Sequence, residues 1–160
     1  MTDIPEGFVA LPFRTGFVGV NGPLHVRRGA DGRVHMGFRV EERHCNPMGT
    51  AHGGMLATFA DMQLPFAIRF QSDLPNHFLP TINLTLDFLA PAKLGAWIEG
   101  ETQVLRKTRK LVFAQCLVTA DGEAALRASG IFKIGPEMNF GGASIDLLLA
   151  QTGLPTISSS

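Results

Sequence analysis

Residues 44–61 gather the side chains best suited to chemistry, reading His44-Cys45-Asn46-Pro47-Met48-Gly49-Thr50-Ala51-His52-Gly53-Gly54-Met55-Leu56-Ala57-Thr58-Phe59-Ala60-Asp61. His52-Gly53-Gly54 stands where a helical apolar period begins. The first turn of a helix has backbone N–H groups with no internal partner, and the helix dipole adds positive potential there. Gly53 and Gly54 have no side chain to block a ligand. A carbonyl oxygen gaining negative charge would be stabilised at that spot, as in an oxyanion hole. The plainer alternative is two glycines that permit close packing at a helix start. Asp61 favours the chemical reading, because a carboxylate inside an apolar helix is costly to bury without a reason. Gly54, Ala57, Thr58 and Leu64 share its helix face, and the small ones leave space around it. Bulky Met55, Phe59, Met62 and Phe66 take the other side. The alternative for Asp61 is a cap or an ion pair with a neighbour such as Arg69.

Helix geometry adds a constraint. His52 and Asp61 are nine residues apart. They therefore lie on roughly opposite faces, about 13 Å apart along the axis. One chain cannot bring both to one reacting carbon, whereas two antiparallel copies of the helix about a two-fold axis can. A homodimer with two shared sites is expected. Pro65, four residues after Asp61, removes a helix hydrogen bond and predicts a local kink.

Other chemistries fit less well. Cys45 lies beside His44 and near His52, but it precedes the helix and has no evident third orienting group for nucleophilic work. A zinc site from His44, Cys45, His52 and Asp61 matches no standard ligand spacing, so no metal is expected. Cys116 alternates with apolar residues and reads as core. His25, His35 and His77 fall in no pattern. The chain has no Tyr, so acid–base chemistry rests on His, Asp, Glu or Cys.

The elements that must position these residues follow from periodicity. Residues 1–15 read as an irregular arm broken by Pro5, Gly7 and Pro12. Two extended runs are expected, Phe17 to Arg28 and Arg33 to Arg43, joined by an Asp31-Gly32 hairpin turn. In the second, Val34, Met36, Phe38 and Val40 alternate with His35, Gly37, Arg39 and Glu41, the pattern of a half-buried strand. Over 50–70 the period changes. Met55, Phe59, Met62 and Phe66 recur at helical steps, with Thr50 as the expected N-cap. Four more extended runs follow at about 81–90, 95–106, 110–121 and 123–134. Asp121-Gly122 is the second hairpin signal. A short helix over 143–151 is expected within a tail of 136–160. Strands around a single long helix imply one α+β domain over 1–160 with an antiparallel sheet.

Composition bounds the rest. The chain has 160 residues, with 14 Lys+Arg against 14 Asp+Glu. That length can bury a core without staples, and the neutral balance excludes nucleic-acid binding by bulk charge. Two cysteines suggest a reducing compartment. There is no signal-like N-terminus and no long apolar run, so no membrane span and a cytoplasmic location are expected. Four of the 14 bases sit in Arg106-Lys107-Thr108-Arg109-Lys110 at a predicted strand turn, leaving ten bases against 14 acids elsewhere. Such a cluster suits phosphate groups. The alternative is a solvated hairpin tip.

Asn46, Gly49, His52-Gly53-Gly54 and Asp61 resemble the motif of the hotdog-fold acyl-CoA thioesterases of the phenylacetate-pathway (PaaI-like) group, within the 4-hydroxybenzoyl-CoA thioesterase superfamily. Ala90-Pro91-Ala92-Lys93-Leu94-Gly95 is similar to that group too, and the resemblance spans about residues 17–134. It implies a hotdog fold, with an antiparallel sheet of five to six strands wrapped around one long helix, and dimers that pair into tetramers. It implies hydrolysis of a CoA thioester, with acyl-CoA as the partner and no separate cofactor. Gly53 N–H would polarise the carbonyl. Asp61 of the partner chain would be general base or nucleophile. Asn46 would orient water or the leaving sulfur, and His52 would support the oxyanion region. Thr81 would position the attacking water; it is Thr where some relatives carry Ser. Gly54 and the Arg106, Lys107, Arg109 and Lys110 cluster would meet substrate and CoA. A non-catalytic acyl-CoA-binding module and a hotdog hydratase are the other readings of the same fold.

Overall fold

The computed structural model describes residues 3–74 and 76–138. Its elements are β1 (Val9–Ala10), α1 (Gly16–Asn21), β2 (His25–Arg28), β3 (Val34–Arg39), α2 (Gly53–Gln71), β4 (Thr81–Phe88), β5 (Trp97–Lys107), β6 (Leu111–Ala120) and β7 (Glu123–Lys133). The strands form one antiparallel sheet in the order β1-β2-β3-β5-β6-β7-β4. α2 lies across its inner face, against β3, β5, β6 and β7. This is the expected hotdog arrangement, with seven strands rather than five or six. The additional pairing comes from the N-terminal arm, where Val9 and Ala10 pair with Val26 and His25.

α2 forms because Met55, Leu56, Phe59, Ala60, Leu64, Phe66, Ala67 and Ile68 recur at helical spacing and are all buried. Fully burying a side chain such as Phe59 or Leu64 is worth about 1.5–3 kcal/mol. The sheet admits the helix closely at two glycines. A Cβ on Gly100 would come within 2.8 Å of the Gln63 side chain, and one on Gly130 within 3.3 Å of Leu64. Gln63 is fully buried, and its amide bonds Met36 N–H, Val34 C=O and the Thr102 hydroxyl at 2.7, 3.2 and 2.9 Å. Helix and sheet are thus locked by a polar contact as well as by packing.

Several expectations are corrected. Phe17 to Asn21 is helical rather than extended: Val18 turns inward while Phe17 and Val20 stay exposed, and Asn21 Nδ2 donates to Phe17 C=O at 2.8 Å. β3 is buried on both faces, because Trp97 covers Gly37 and Glu99 pairs with His35 on the outer side. α2 starts later than expected, with His52 rather than Thr50 as N-cap. Pro65 lies inside it. Leu64, expected beside the site, is core. Both Asp-Gly hairpins and the four later strands form as expected. The helix expected over 143–151 lies outside the described residues.

One side of the molecule is unfinished. β4 ends the sheet beside β7, and its Ile82 and Phe88 are each 56% exposed. The adjoining α2 seam of Gly54, Ala57, Thr58, Asp61, Met62 and Pro65 is likewise not buried. A long apolar edge strand is a template for further pairing.

Candidate active site

The loop before α2 is built by its own polar residues. Asn46 Oδ1 accepts from Met48 N–H at 3.0 Å and Thr50 N–H at 3.3 Å, while Nδ2 donates to Thr50 Oγ1 at 3.0 Å. Asn46 therefore shapes the turn that delivers His52 and Gly53. His44 anchors the same loop. Its carbonyl accepts from His52 N–H at 2.8 Å, its Nδ1 accepts from Glu41 N–H at 3.0 Å, and its Nε2 donates to Asn21 C=O at 3.1 Å. That pattern suits the neutral imidazole, and burial followed by nearby Arg43 pulls His44 below its ordinary value.

At the helix start, His52 Nδ1 accepts from Gly54 N–H at 2.8 Å. This cap occupies the Gly54 donor, so Gly54 offers a ligand only its bare Cα. A Cβ there would press on His52 Nδ1 at 3.0 Å. Gly53 N–H has no acceptor among the described residues. It borders a hollow of about 310 Å³ lined by Ala51, Leu56, Phe88, Leu89 and Pro91. The Phe88 ring lies 3.2 Å from where a Gly53 Cβ would stand. The residue that carries this helix-terminal donor thus borders the recess, a position that suits a polarised carbonyl.

Asp61 sits elsewhere. Its Oδ1 accepts from Thr81 Oγ1 at 2.6 Å, joining α2 to the first residue of β4. Asp61 makes no ion pair with Arg69 or any other described residue. It borders a second cavity, of about 420 Å³, whose walls include Leu11, Phe13, Met36, Met62, Phe66 and Phe78. The size falls in the roughly 300–1,000 Å³ range of small-molecule sites. Part of this wall comes from the N-terminal arm, whose role the periodic pattern of the sequence does not reveal.

The Arg106–Lys110 turn lies at the far end of α2. Lys107 Nζ donates to the carbonyl of Ser72, the helix C-cap, at 2.9 Å. Arg106, Arg109 and Lys110 are exposed. Gly53 and Asp61 are separated by eight residues, about 12 Å of helix rise. One chain therefore holds the helix-start donor apart from the carboxylate–hydroxyl pair, with the basic residues toward the other end of the helix. Among the described residues no His/Cys/Asp/Glu cluster could hold a metal. Cys45 Sγ lies 3.4 Å from Glu41 C=O, and burial pushes the Cys116 thiol up to about 12, far from a reactive thiolate.

Comparison with known proteins decides the family. The thioesterase superfamily model matches residues 48–126. A Pseudomonas aeruginosa protein provisionally named an esterase is 34% identical over 134 residues, covering 84% of this chain and 99% of its own. The chain belongs to the thioesterase superfamily.

Human acyl-coenzyme A thioesterase 13 is similar to this thioesterase at 30% identity over 126 residues, covering 78% of this chain and 88% of the relative. The crystal structure of zebra fish thioesterase superfamily member 2 superposes with a TM-score of 0.67 at 31% identity, covering 75% of this chain and 87% of that one. Structures of phenylacetic acid degradation proteins share the fold at 24% and 23% identity. This thioesterase is a hydrolase of thioester bonds. The matched region includes Gly49, His52, Gly53, Asp61 and Thr81. No helix of the described residues is long and apolar enough to cross a membrane.

Proposed function

We propose that this thioesterase hydrolyses acyl-CoA with an aryl or medium-chain acyl group, at sites completed between two copies of the chain. The observation that carries the proposal is the Asp61–Thr81 pair at 2.6 Å, whose Asp61 borders a largely apolar cavity and has no cation paired with it among the described residues. Gly53 N–H lies too far along the helix to serve the same reacting carbon. The half-buried α2 seam and the bare edge of β4 both fit a second copy related by a two-fold axis. Such a partner brings its Gly53 toward this chain's Asp61. Pairing of dimers into tetramers is part of the same reading.

In the reaction, Gly53 N–H donates to the thioester carbonyl oxygen as it gains charge. Asp61 takes a proton from water, which adds to the carbonyl carbon, or attacks that carbon itself. The C–S bond breaks with its electron pair on sulfur, and the thiolate takes up a proton. One water is consumed, leaving a carboxylic acid and coenzyme A. Thr81 holds the Asp61 carboxylate in place. His52 fixes the helix start by its cap, and Asn46 fixes the loop that carries it. Arg106, Lys107, Arg109 and Lys110 attract the phosphates of coenzyme A.

Asp61→Asn should lower acyl-CoA turnover by orders of magnitude with the fold and assembly intact. Unchanged turnover would sink the assignment. Mixing Asp61→Ala chains with Gly53→Val chains should restore part of the activity, since one of the two sites in a heterodimer is then intact. Absence of recovery after verified subunit exchange would count against a shared site.

A further inference from the structure

The side chains that line the cavity beside Asp61 are apolar apart from Thr15, Asp61 and Arg69. Arg69 stands eight residues beyond Asp61 along α2. That separation is about 12 Å of rise and about 80° of rotation, so the two charges occupy adjoining sides of the helix. Met62, Pro65 and Phe66 line the stretch between them. Among the described residues the Arg69 side chain makes one hydrogen bond, from Nε to His77 C=O at 2.9 Å. No carboxylate pairs with it among the described residues. Burial lowers it to about 10, so it remains charged at neutral pH. A guanidinium carries five N–H donors in a fixed fork, and the other four have no partner among the described residues.

A wholly hydrocarbon acyl chain would strip water from those donors without replacing it, which is costly. A carboxylate at the far end of the chain would instead accept two parallel hydrogen bonds. Asp61 repels the same carboxylate at the near end, so only one orientation is favourable: thioester at Asp61, anion at Arg69. We infer that Arg69 is a specificity-determining residue that selects acyl-CoA substrates whose acyl group ends in a carboxylate, the half-thioesters of medium-chain dicarboxylic acids. The inference rests on the acyl-CoA thioesterase reading and narrows its substrate class.

The test compares octanoyl-CoA with the CoA half-thioester of octanedioic acid, which differ only at the distal end. The wild type should favour the octanedioyl substrate by about tenfold or more in kcat/KM, the size of one charge-assisted contact. In Arg69→Met that ratio should fall to about one or below. Arg69→Lys keeps the charge but loses the fork, and should give an intermediate ratio. Circular dichroism and melting of each variant control for folding, and the ratio within one variant is insensitive to a loss of active enzyme. Equal or lower efficiency on the octanedioyl substrate in the wild type would overturn the inference, as would a ratio unchanged by Arg69→Met. Either result leaves hydrolysis of octanoyl-CoA standing. If neither thioester is hydrolysed, it is the thioesterase reading that fails. Calorimetric titration of octanedioate against octanoate, on wild type and Arg69→Met, then decides the role of Arg69: tighter binding of octanedioate that the substitution abolishes supports it, and equal binding rejects it.

Discussion

Thr81→Val isolates the one contact that couples the Asp61 carboxylate to the sheet. The substitution keeps the branched shape and removes the hydroxyl that donates at 2.6 Å. Thr81 is exposed at the start of β4, and Val suits a strand as well as Thr does, so the fold should be indifferent. A hydrogen bond to a charged group is worth roughly 1.5–3 kcal/mol, and the exposure of this pair places it near the lower end. At about 1.36 kcal/mol per decade of rate, kcat should fall by roughly 10–30-fold. KM should change little, because the hydroxyl orients Asp61 rather than binding the acyl chain. Thr81→Ser retains the donor and should retain most of the rate. Thr85→Val is the control, since among the described residues the Thr85 hydroxyl on the same exposed strand bonds only Asn83 Oδ1. Steady-state hydrolysis of an acyl-CoA, followed by thiol release, gives kcat and KM for wild type, the three threonine variants and Asp61→Asn. The reasoning is refuted if Thr81→Val keeps kcat within about twofold of wild type while Asp61→Asn is inactive. It is also refuted if Thr85→Val loses as much as Thr81→Val.

Other outcomes follow from the same structure. Gln63→Ala should cost about 3–5 kcal/mol in denaturant unfolding, because Met36 N–H, Val34 C=O and the Thr102 hydroxyl lose a buried partner and a void remains; a loss under about 1 kcal/mol would show that the network contributes little. His25 and His44 are both held below 6.5, chiefly by burial. The unfolded chain therefore binds more protons than the folded one, and Tm should fall as pH drops below about 6.5, levelling once the folded-state values are passed. His44→Gln should be less stable at neutral pH but lose less on acidification, and an identical pH slope would exclude His44 as a source. For Glu99, burial opposes ionisation but hydrogen bonds from His35 and Arg27 outweigh it and hold the carboxyl below 4.5. Its contribution is present above that value and is lost only as pH falls through the lower folded value. Arg106→Ala with Arg109→Ala should raise KM for an acyl-CoA more than for the same acyl group on a thiol lacking the nucleotide, whereas an equal rise on both would remove the phosphate role.

Much of the site is legible in the chain itself because its signals are local. The change of period after residue 50, the two Asp-Gly turns and the His52-Gly53-Gly54 start of an apolar run each depend on residues within a few positions of one another. So does the argument that one helix separates its N-terminal donor from Asp61. The contacts around Asp61 are not local. Thr81 meets Asp61 from twenty residues away, because β4 returns to the edge of the sheet beside β7 rather than beside its sequence neighbour β5. Arg69 reads as a helix-surface cation until the N-terminal arm folds over and makes it part of a cavity wall. Strand propensity misreads Phe17–Asn21 for the same reason, since packing of Val18 against the core overrides the local preference of the segment. Residue types and spacing by themselves determined the helix, the hairpins and the chemistry available. Which groups meet, which donors are already taken and which charge faces the cavity were decided only by tertiary structure, because those depend on chain segments that no local pattern links.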